Sequence, residues 1–453
     1  MDLAKLRTVS RRLAPPHSCH LRMVVGIGCI ALLSLTSSFS EENPAVSSTM
    51  VEFHRLQDDM RKAHALHDTA AYLADSRKFL RLLNGSPDAV LQRMSAEAFC
   101  GEEASALSSY EQFVRMGQSS ESALQSKTFD KLRELPHFSE IHSAMTKNDV
   151  PISTATRVLQ MVDADILPED IDYDSRSKTF YITSVLKRNV VAIDMNGHSR
   201  VFAEAPDRWP TMALKVDSRR GRLWVTEVAI AGFDTVSKSD WGRSAVLIYD
   251  MRTGRLLQRL EGPSGAAFGD MTLGPNGDAI VSDGDQGAVY RVSFNSQQFE
   301  RLDDGSFISP QTAVFHPDGR HLFVPDYFRG IGILDIPTKA VVWIPMDGRY
   351  ALNGIDGLYR SGRTLIATQN GTSPERVVRF QLDLTLQHIE SESIIERATD
   401  TLGDPTHGVL VNGSFYYIAN SGWDALDEHG NRRDGKVMSP AILMRVKLNA
   451  GAQ

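Results

Sequence analysis

Hydrophobic and polar positions alternate in a pattern that repeats six times between residues 165 and 450. In each repeat, a run of four mostly apolar residues follows a polar turn, as expected of a short buried β-strand. When these runs are aligned, successive repeats are 43, 56, 43, 43 and 51 residues apart, a period typical of propeller blades. The aligned positions are Ile182, Val225, Val281, Val324, Ala367 and Ile418.

Each repeat carries the elements of a small antiparallel sheet. A short run after Pro, Gly or Asp opens the repeat, a turn follows, and further strand-like runs lie after the aligned one. The turns within 274–278 and 316–320 contain Asn-Gly and Asp-Gly, which supply the positive φ that tight hairpins require. Six such units predict a mainly β fold, a six-bladed β-propeller over residues 155–450, preceded by an α-helical domain.

The sixth repeat ends shortly after its third strand, at Lys447 and Leu448. Residues 156–163, which precede the first repeat, resemble the outer strand of the second repeat at 255–262. We therefore predict that Arg157 to Val162 forms the outer strand of the sixth blade, because an open ring would leave sheet edges exposed. This closure would join the two ends of the propeller.

Residues 48–150 have a different pattern, in which Ala, Leu and Met recur at helical spacing. The pattern predicts helices over 50–84, 87–116 and 123–147, with Pro87 at the first position of the second helix. The end of this region resembles a tetratricopeptide-type helical array. That resemblance implies a peptide-binding surface; the alternative is a helical bundle that packs against the propeller.

Residues 1–40 have the features of a targeting segment. Four arginines precede an apolar run from Met23 to Leu35, and Ser38 and Ser40 offer small side chains for cleavage. The run is short for a membrane span, which needs roughly 20 residues. We expect a signal peptide and an exported protein, periplasmic or secreted. The alternative is a membrane anchor, if the segment is not cleaved.

Composition narrows the possible partners. The formal net charge is −7 and no basic cluster follows residue 40, so a nucleic acid is not an expected partner. Removal of residues 1–40 would leave Cys100 as the only cysteine, which excludes an intrachain disulfide. The mature fold must then be stabilised by its core.

In a propeller, the first residues of the inner strands surround one end of the central channel, so polar side chains there can meet. Carboxylate and amide oxygens at these positions suit a hard divalent cation, most simply Ca²⁺. The sequence therefore predicts a divalent-metal site at this end of the channel. The positions are Glu169, Thr211 or Met212, Asp270 after Gly269, Gln311, Asp356, and His407 after Thr406.

The propeller region, about 290 residues, resembles the SMP-30/gluconolactonase family of six-bladed propellers. The resemblance is carried by Glu169 in Pro-Glu-Asp-Ile of the first repeat and by Asp356 in Ile-Asp-Gly-Leu of the fifth. In that family, a Glu, an Asn and an Asp on these inner strands hold a divalent metal, and the Asp acts in lactone hydrolysis. The resemblance implies that Glu169, Gln311 and Asp356 bind the metal and that Asp356 is catalytic.

Two positions depart from the family pattern. Gln311 stands where the family has Asn, and its extra methylene moves the carbonyl oxygen by more than about 1 Å, whereas metal–ligand distances tolerate about 0.2 Å. The metal is then held differently or is absent. His407 has no required counterpart in the family. A neutral imidazole near Asp356 would act as a base, which makes His407 a second candidate catalytic residue; the alternative is a hydrogen-bonded plug in the channel.

Further polar and aromatic side chains are expected on the same face of the propeller. Two insertions, at 229–243 and 421–440, lie between second and third strands and add long loops to that face. Their aromatic residues either line a ligand pocket or pack the loops down, and the polar residues either bind substrate or support turns. The candidates for substrate binding are Asp270, Tyr327, Asn353, Asn370, Asn420 and Trp423.

The leading hypothesis is an exported propeller that binds a divalent metal and a small-molecule ligand, with hydrolysis of a lactone or related ester as its reaction. In this hypothesis Glu169, Gln311 and Asp356 hold the cation, and Asp356 or His407 accepts the proton. The alternative is a non-enzymatic recognition module in which the propeller and the helical region bind a protein or peptide.

Overall fold

The computed structural model describes residues 46–234, 236–427 and 429–448. Six antiparallel sheets form the blades of a six-bladed β-propeller, and a helical region precedes them, which confirms the predicted fold class. The predicted targeting segment, residues 1–40, lies outside the described residues. Within the part of the chain that the structure describes, no helix is both long and apolar enough to cross a lipid bilayer.

Side chains cap the free amides at the starts of the first two helices. Ser47 Oγ accepts a hydrogen bond from Met50 N at 3.0 Å, and Asp68 Oδ1 accepts one from Ala71 N at 3.0 Å. The first predicted helix is therefore two helices, since His67 adopts a left-handed φ of 57° just before the second cap. The α-helices are α1 (Ser48–Ala65), α2 (Thr69–Leu82), α3 (Pro87–Phe99), α4 (Glu103–Arg115), α5 (Glu121–Leu124), α6 (Asp130–Arg133) and α7 (Phe138–Asn148).

Blades one to three are four-stranded sheets whose strands follow one another in chain order. Two strands precede them, β1 (Ile152–Ser153) and β2 (Thr156–Gln160). Blade one contains β3 (Pro168–Asp174), β4 (Thr179–Ser184), β5 (Asn189–Asp194) and β6 (Ser199–Glu204). Blade two contains β7 (Thr211–Asp217), β8 (Arg222–Val228), β9 (Ser244–Asp250) and β10 (Leu256–Glu261). Blade three contains β11 (Phe268–Leu273), β12 (Ala279–Asp283), β13 (Ala288–Val292) and β14 (Glu300–Arg301).

Blades four to six continue the same order and complete the ring. Blade four contains β15 (Val314–Phe315), β16 (His321–Asp326), β17 (Gly330–Asp335) and β18 (Val341–Trp343). Blade five contains β19 (Ile355–Ser361), β20 (Thr364–Gln369), β21 (Arg376–Leu382) and β22 (Ile389–Arg397). Blade six contains β23 (Gly408–Val411), β24 (Ser414–Ile418) and β25 (Ile442–Lys447).

The N-terminal strand β2 closes the propeller. It pairs antiparallel with β25, with Thr156 opposite Arg445 and Gln160 opposite Ile442, and so becomes the outer strand of blade six. The closing strand was predicted over Arg157 to Val162. In the structure it begins one residue earlier, at Thr156, and ends two residues earlier, at Gln160. In addition, β1 pairs with β22 as a fifth strand of blade five, which the sequence pattern did not indicate.

The helical region packs against the propeller through two apolar clusters. In one cluster, Tyr110 and Phe113 of α4 are buried together with Phe323 of blade four. In the other, Phe53 of α1 contacts Phe328, and their ring centroids are 4.9 Å apart. The region therefore has the arrangement of a bundle that packs on the propeller, and its likeness to a tetratricopeptide array stays a prediction.

Hydrogen bonds locate the helices at the end of the propeller where the inner strands begin. Arg329 Nε, between β16 and β17, donates to Leu82 O of α2 at 2.8 Å. That β16–β17 connection lies beside the start of the inner strand, because Tyr327 N donates to Ser309 O at 2.9 Å. The helical region thus lies next to the mouth of the channel.

Candidate metal centre

Strand register aligns the residues that open the inner strands. Pro168 pairs with Ser184 in blade one, Ile355 pairs with Gln369 in blade five, and Pro310 bridges to Asp326 in blade four. The residues directly after these positions in the six blades form the mouth ring: Glu169, Met212, Gly269, Gln311, Asp356 and Thr406. The residues one position further along form the second ring: Asp170, Ala213, Asp270, Thr312, Gly357 and His407.

The register of blade six corrects the sequence alignment by one residue. Gly408 pairs with Tyr417, so Tyr417, rather than Ile418, is the residue equivalent to Ile182. His407 directly precedes Gly408 and therefore belongs to the second ring. The sequence alignment was one residue off because Tyr417 and Ile418 are both apolar enough to fit a buried strand.

A hydrogen-bonded network connects blades one, three, four and six across the channel. Thr312 Oγ1 donates to Asp270 Oδ1 at 2.5 Å. His407 Nε2 lies 2.7 Å from the same carboxylate oxygen and 2.9 Å from Thr312 Oγ1. The other ring nitrogen of His407, Nδ1, lies 3.0 Å from the backbone oxygen of Glu169. The second ring is therefore tied together by side chains rather than by strand pairing.

Glu169, Asp356 and His407 converge at the mouth. Each offers a potential ligand atom, these atoms lie within 4.8 Å of one another, and all three side chains are buried. Trp423 Nε1 donates to Glu169 Oε2 at 2.7 Å, and Asn370 Nδ2 donates to Asp356 Oδ2 at 3.0 Å. The other oxygen of each carboxylate has no hydrogen-bond partner among the described residues, so each keeps one oxygen for a ligand.

Burial and nearby negative charges raise the pKa of both carboxyl groups. Burial contributes most at Glu169, whose pKa lies well above its ordinary value, and the negative charge of Asp356 adds to the shift. Burial also raises the pKa of Asp356 to about 7. The positive charge of His407 lowers this pKa, whereas the negative charge of Asp270 raises it further. Two carboxylates in this environment favour a proton or a cation close to them.

His407 is better suited to carry a positive charge than to act as a base. Burial lowers its pKa, but the charges of Asp170, Asp356 and Asp270 outweigh burial and raise the pKa to about 10. The groups that face its two ring nitrogens, a backbone carbonyl and a carboxylate, both accept hydrogen bonds. An imidazole ring that donates hydrogen bonds from both nitrogens has no free lone pair with which to accept a proton. This geometry favours the alternative prediction, a hydrogen-bonded residue in the channel.

The two rings hold more negative than positive charge. Asp170 accepts a hydrogen bond from Leu214 N at 2.8 Å and lies 2.5 Å from Lys215 Nζ, so it is a paired carboxylate of the core. When all four ring carboxylates are ionised, they face two cations, Lys215 and His407. The excess of two negative charges equals the charge of one divalent cation.

Gln311, Tyr327 and Asn370 lie around these carboxylates. Gln311 Nε2 donates to Ser309 Oγ at 3.1 Å, and by register Gln311 is equivalent to Glu169 and Asp356. Tyr327 Oη donates to Asn370 Oδ1 at 3.1 Å, and Asn370 in turn donates to Asp356. Tyr327 and Asn370 therefore form a chain of side chains that orients Asp356.

Asn353 and Asn420, two other predicted binding residues, point elsewhere. Asn353 Nδ2 donates to Asp88 Oδ2 of α3 at 3.1 Å, so it faces the helical region. Asn420 Oδ1 accepts a hydrogen bond from Ile442 N at 2.7 Å, and its Nδ2 donates to Pro440 O at 3.3 Å. Both polar groups of Asn420 thus bind the backbone of its own blade, which corresponds to the turn role rather than to ligand binding.

The loop insertions supply one contact to the centre. Trp423 lies on a short 3₁₀-helix, Trp423–Ala425, and is buried with Phe233 and Trp209 in an apolar cluster beside the mouth. Its indole nitrogen reaches Glu169, whereas Trp241 of the other insertion stays 41% exposed. Trp423 therefore both packs its loop down and orients a candidate ligand residue.

Sequence reasoning missed several polar residues near the mouth. Thr312 follows Gln311, and alignment of Gln311-Thr312 with Glu169-Asp170 would have identified it. Asp404 lies just before β23; burial raises its pKa well above the ordinary value, and the charge of Glu375 adds to the shift. No local pattern marks Asp88, because its contact with the propeller depends on how the helices dock.

Comparison with known proteins finds only distant similarities, all among solved structures. No family model matches the chain, and no curated protein matches it. Similar solved structures include a streptogramin B lyase, 12% identical with a TM-score of 0.43, covering 65% of this chain and 97% of that one. A PQQ-bound aldose sugar dehydrogenase from Streptomyces coelicolor is 11% identical, with a TM-score of 0.44 and coverage of 65% and 99%. A luciferin-regenerating enzyme is 11% identical, with a TM-score of 0.45 and coverage of 67% and 99%.

Proposed function

We propose that this protein is an exported enzyme that binds a divalent cation, most simply Ca²⁺, at the mouth ring and hydrolyses a lactone or ester bond of a small ligand. The observation that supports the proposal is the convergence of the buried Glu169 and Asp356, whose charges, when both groups are ionised, are not balanced by Lys215 and His407. The resemblance to the SMP-30/gluconolactonase family assigns a cation to the same positions.

The residues at the mouth suit a hard cation. Glu169 and Asp356 each keep one carboxylate oxygen without a partner among the described residues, and Gln311 offers an amide carbonyl at the equivalent position of blade four. Ca²⁺ takes such oxygen ligands at about 2.3–2.6 Å and tolerates irregular geometry, which suits the longer Gln side chain. His407 contributes charge rather than a ligand, because acceptors face both of its nitrogens.

Each of the surrounding residues would have its own role in hydrolysis. A divalent cation, when bound, polarises a carbonyl group and lowers the pKa of water. The Asp356 carboxylate, which Asn370 orients through Oδ2, would accept the proton that water loses as its oxygen bonds to the carbonyl carbon. It would return this proton to the alkoxide oxygen when the ester C–O bond breaks. Trp423 keeps the Glu169 carboxylate oriented. His407 stays protonated and stabilises negative charge that develops at the mouth.

The alternative, a protein- or peptide-binding module, depends on free surface on the helical region. Phe53, Val90 and Phe113 are instead buried in clusters that include propeller residues. These large apolar side chains are therefore already used within the chain, and the cation-dependent enzyme has the stronger support.

Metal content tests the proposal. The purified chain should hold close to one divalent cation by mass spectrometry, and calorimetric titration with Ca²⁺ should detect a single site that Glu169→Gln and Asp356→Asn remove. Glu300→Gln, on the exposed edge of blade three, is the control and should leave binding unchanged. Absence of metal, with no heat of Ca²⁺ binding by the wild type, would exclude the cation-dependent mechanism. Bound metal would justify a screen of lactones and esters.

A further inference from the structure

The start of α3 reaches the mouth end of the propeller. Asp88, in the first turn of α3, accepts a hydrogen bond from Asn353 Nδ2 at 3.1 Å, and Asn353 lies three residues before Asp356. Ser86, at the N-cap position of α3, is fully buried two positions earlier, and its side chain makes no capping hydrogen bond. The turn between α2 and α3 therefore forms part of the surface from which a ligand would approach the mouth ring.

Two buried polar atoms at this junction lack partners. Asn353 is 1% exposed, its Nδ2 is used by Asp88, and its Oδ1 has no hydrogen-bond partner among the described residues. Because both atoms belong to one amide group, Oδ1 lies beside the Asp88 carboxylate. Ser86 Oγ is likewise buried and without a partner within the described chain. A buried acceptor of this kind costs free energy unless a donor satisfies it.

Side chains connect this junction to the candidate metal centre. Tyr327 belongs to the same apolar cluster as Ala89, the residue after Asp88, and its backbone oxygen accepts a hydrogen bond from Gly354 N at 2.7 Å. The Tyr327 hydroxyl then reaches Asn370, which binds Asp356. The junction and the mouth ring are therefore neighbouring parts of one face.

At this junction, the Asp88 carboxylate is the group that is accessible to solvent. Asp88 is exposed to solvent, and yet surrounding protein raises its pKa to about 6 by burial, against the hydrogen bond from Asn353. The Asp88 carboxylate nevertheless contacts the amide of Asn353, which is 1% exposed, so it lies at the border between solvent and the protein interior. Asp285 and Glu375, half-buried on the corresponding loops of blades three and five, also have a pKa raised to about 7 by burial. A cationic donor would be the favoured partner of a carboxylate in this position.

We propose that Asp88 and the Asn353 carbonyl form a subsite for an ammonium group, so that the ligand is a small amine-bearing carbonyl compound whose carbonyl end lies at the mouth ring. The second half of this statement rests on the proposed function. The first half does not, because it rests on the exposed Asp88 carboxylate, the buried Asn353 carbonyl and the contact between the two side chains, which are independent of any cation. The helical region then contributes directly to ligand specificity.

A matched pair of probes tests the subsite without catalysis. 6-Aminohexanamide and hexanamide differ only in the terminal amine, and neither is an ester. Their binding to the full chain is measured by calorimetry or ligand-observed NMR, with and without Ca²⁺. The wild type should bind the amine at least about tenfold more tightly, the size expected of a charge-assisted hydrogen bond. Asp88→Asn should abolish this preference, and Asp88→Glu should retain most of it.

Two further variants keep the test decisive. Asp58→Asn, which removes an exposed α1 carboxylate paired with Arg61, should leave the preference unchanged. Asn353→Ala should weaken amine binding and serves if Asp88→Asn fails to fold. Equal affinity for the two probes, no binding of either, or a preference that survives Asp88→Asn would overturn the subsite. A preference that depends on Asp88 in a protein without metal would retain the subsite and reject the cation-dependent function.

Discussion

Replacing Asp356 with asparagine should make the metal-free protein more stable at alkaline pH, although the change removes a proposed functional residue. The pKa of Asp356 is raised from 3.8 to about 7, chiefly by burial. A carboxyl group with a higher pKa in the folded state binds its proton more tightly when folded. Metal-free wild type therefore loses stability as the pH rises from 3.8 to about 7.

The magnitude follows from the two pKa values. The difference between 3.8 and about 7 corresponds to about 4 kcal/mol, present in full above the folded pKa. This figure is an upper limit, because Glu169 and Asp356 titrate as a pair and one can relax when the other changes. Asparagine keeps an acceptor for Asn370 Nδ2, so the variant removes charge while it retains the hydrogen bond.

The assay is urea unfolding in the presence of a chelator, at about pH 5 and at about pH 8, where Asp356 is mainly protonated and mainly ionised respectively. Asp356→Asn should raise the urea midpoint clearly at the higher pH and little at the lower one. Asp170→Asn is the matched control with the opposite sign, since it leaves Lys215 without its buried partner at a cost of about 3–5 kcal/mol. A variant less stable than the wild type at about pH 8, or a difference independent of pH, would refute the reasoning.

Two further predictions concern how the chain is held together. Prolines at both Val158 and Leu159 should lower the unfolding midpoint and promote oligomers in size-exclusion chromatography far more than alanines at the same positions. Both residues lie within the segment that pairs with β25, and proline cannot donate a backbone hydrogen bond to the ladder. Equal behaviour of the two variants would contradict closure by β2. Phe53→Ala should destabilise the docked helices by about 3–5 kcal/mol, because the ring is buried against Phe328, and it should accelerate hydrogen exchange in α1 and α2. The control Val51→Ala, which changes a half-exposed side chain, should have little effect. Unchanged exchange in Phe53→Ala would show that other contacts hold the helices.

Much of the propeller follows from local pattern. Alternating apolar residues and Asn-Gly or Asp-Gly turns encode each hairpin, so the blade count and five of the six aligned strands agree with the structure. Closure was also predictable, since residues 156–160 resemble another outer strand and a propeller must satisfy its edges. The breaks within the helical region could not be predicted, because the apolar spacing continues across them. Single residues with a positive φ, such as His67 and Gly101, end the helices there.

The sequence by itself determined the fold class, the closing strand and the positions that face the channel, because strand alternation and turn preference act over a few residues. Only the tertiary structure decided which side chains meet there. Trp423 contacts Glu169 across 254 residues of chain, and Asn353 contacts Asp88 across 265. Both contacts depend on ring closure and helix docking, which bury large apolar surfaces and carry polar residues with them. The same burial converts ordinary carboxylates into groups with raised pKa, which no local pattern encodes.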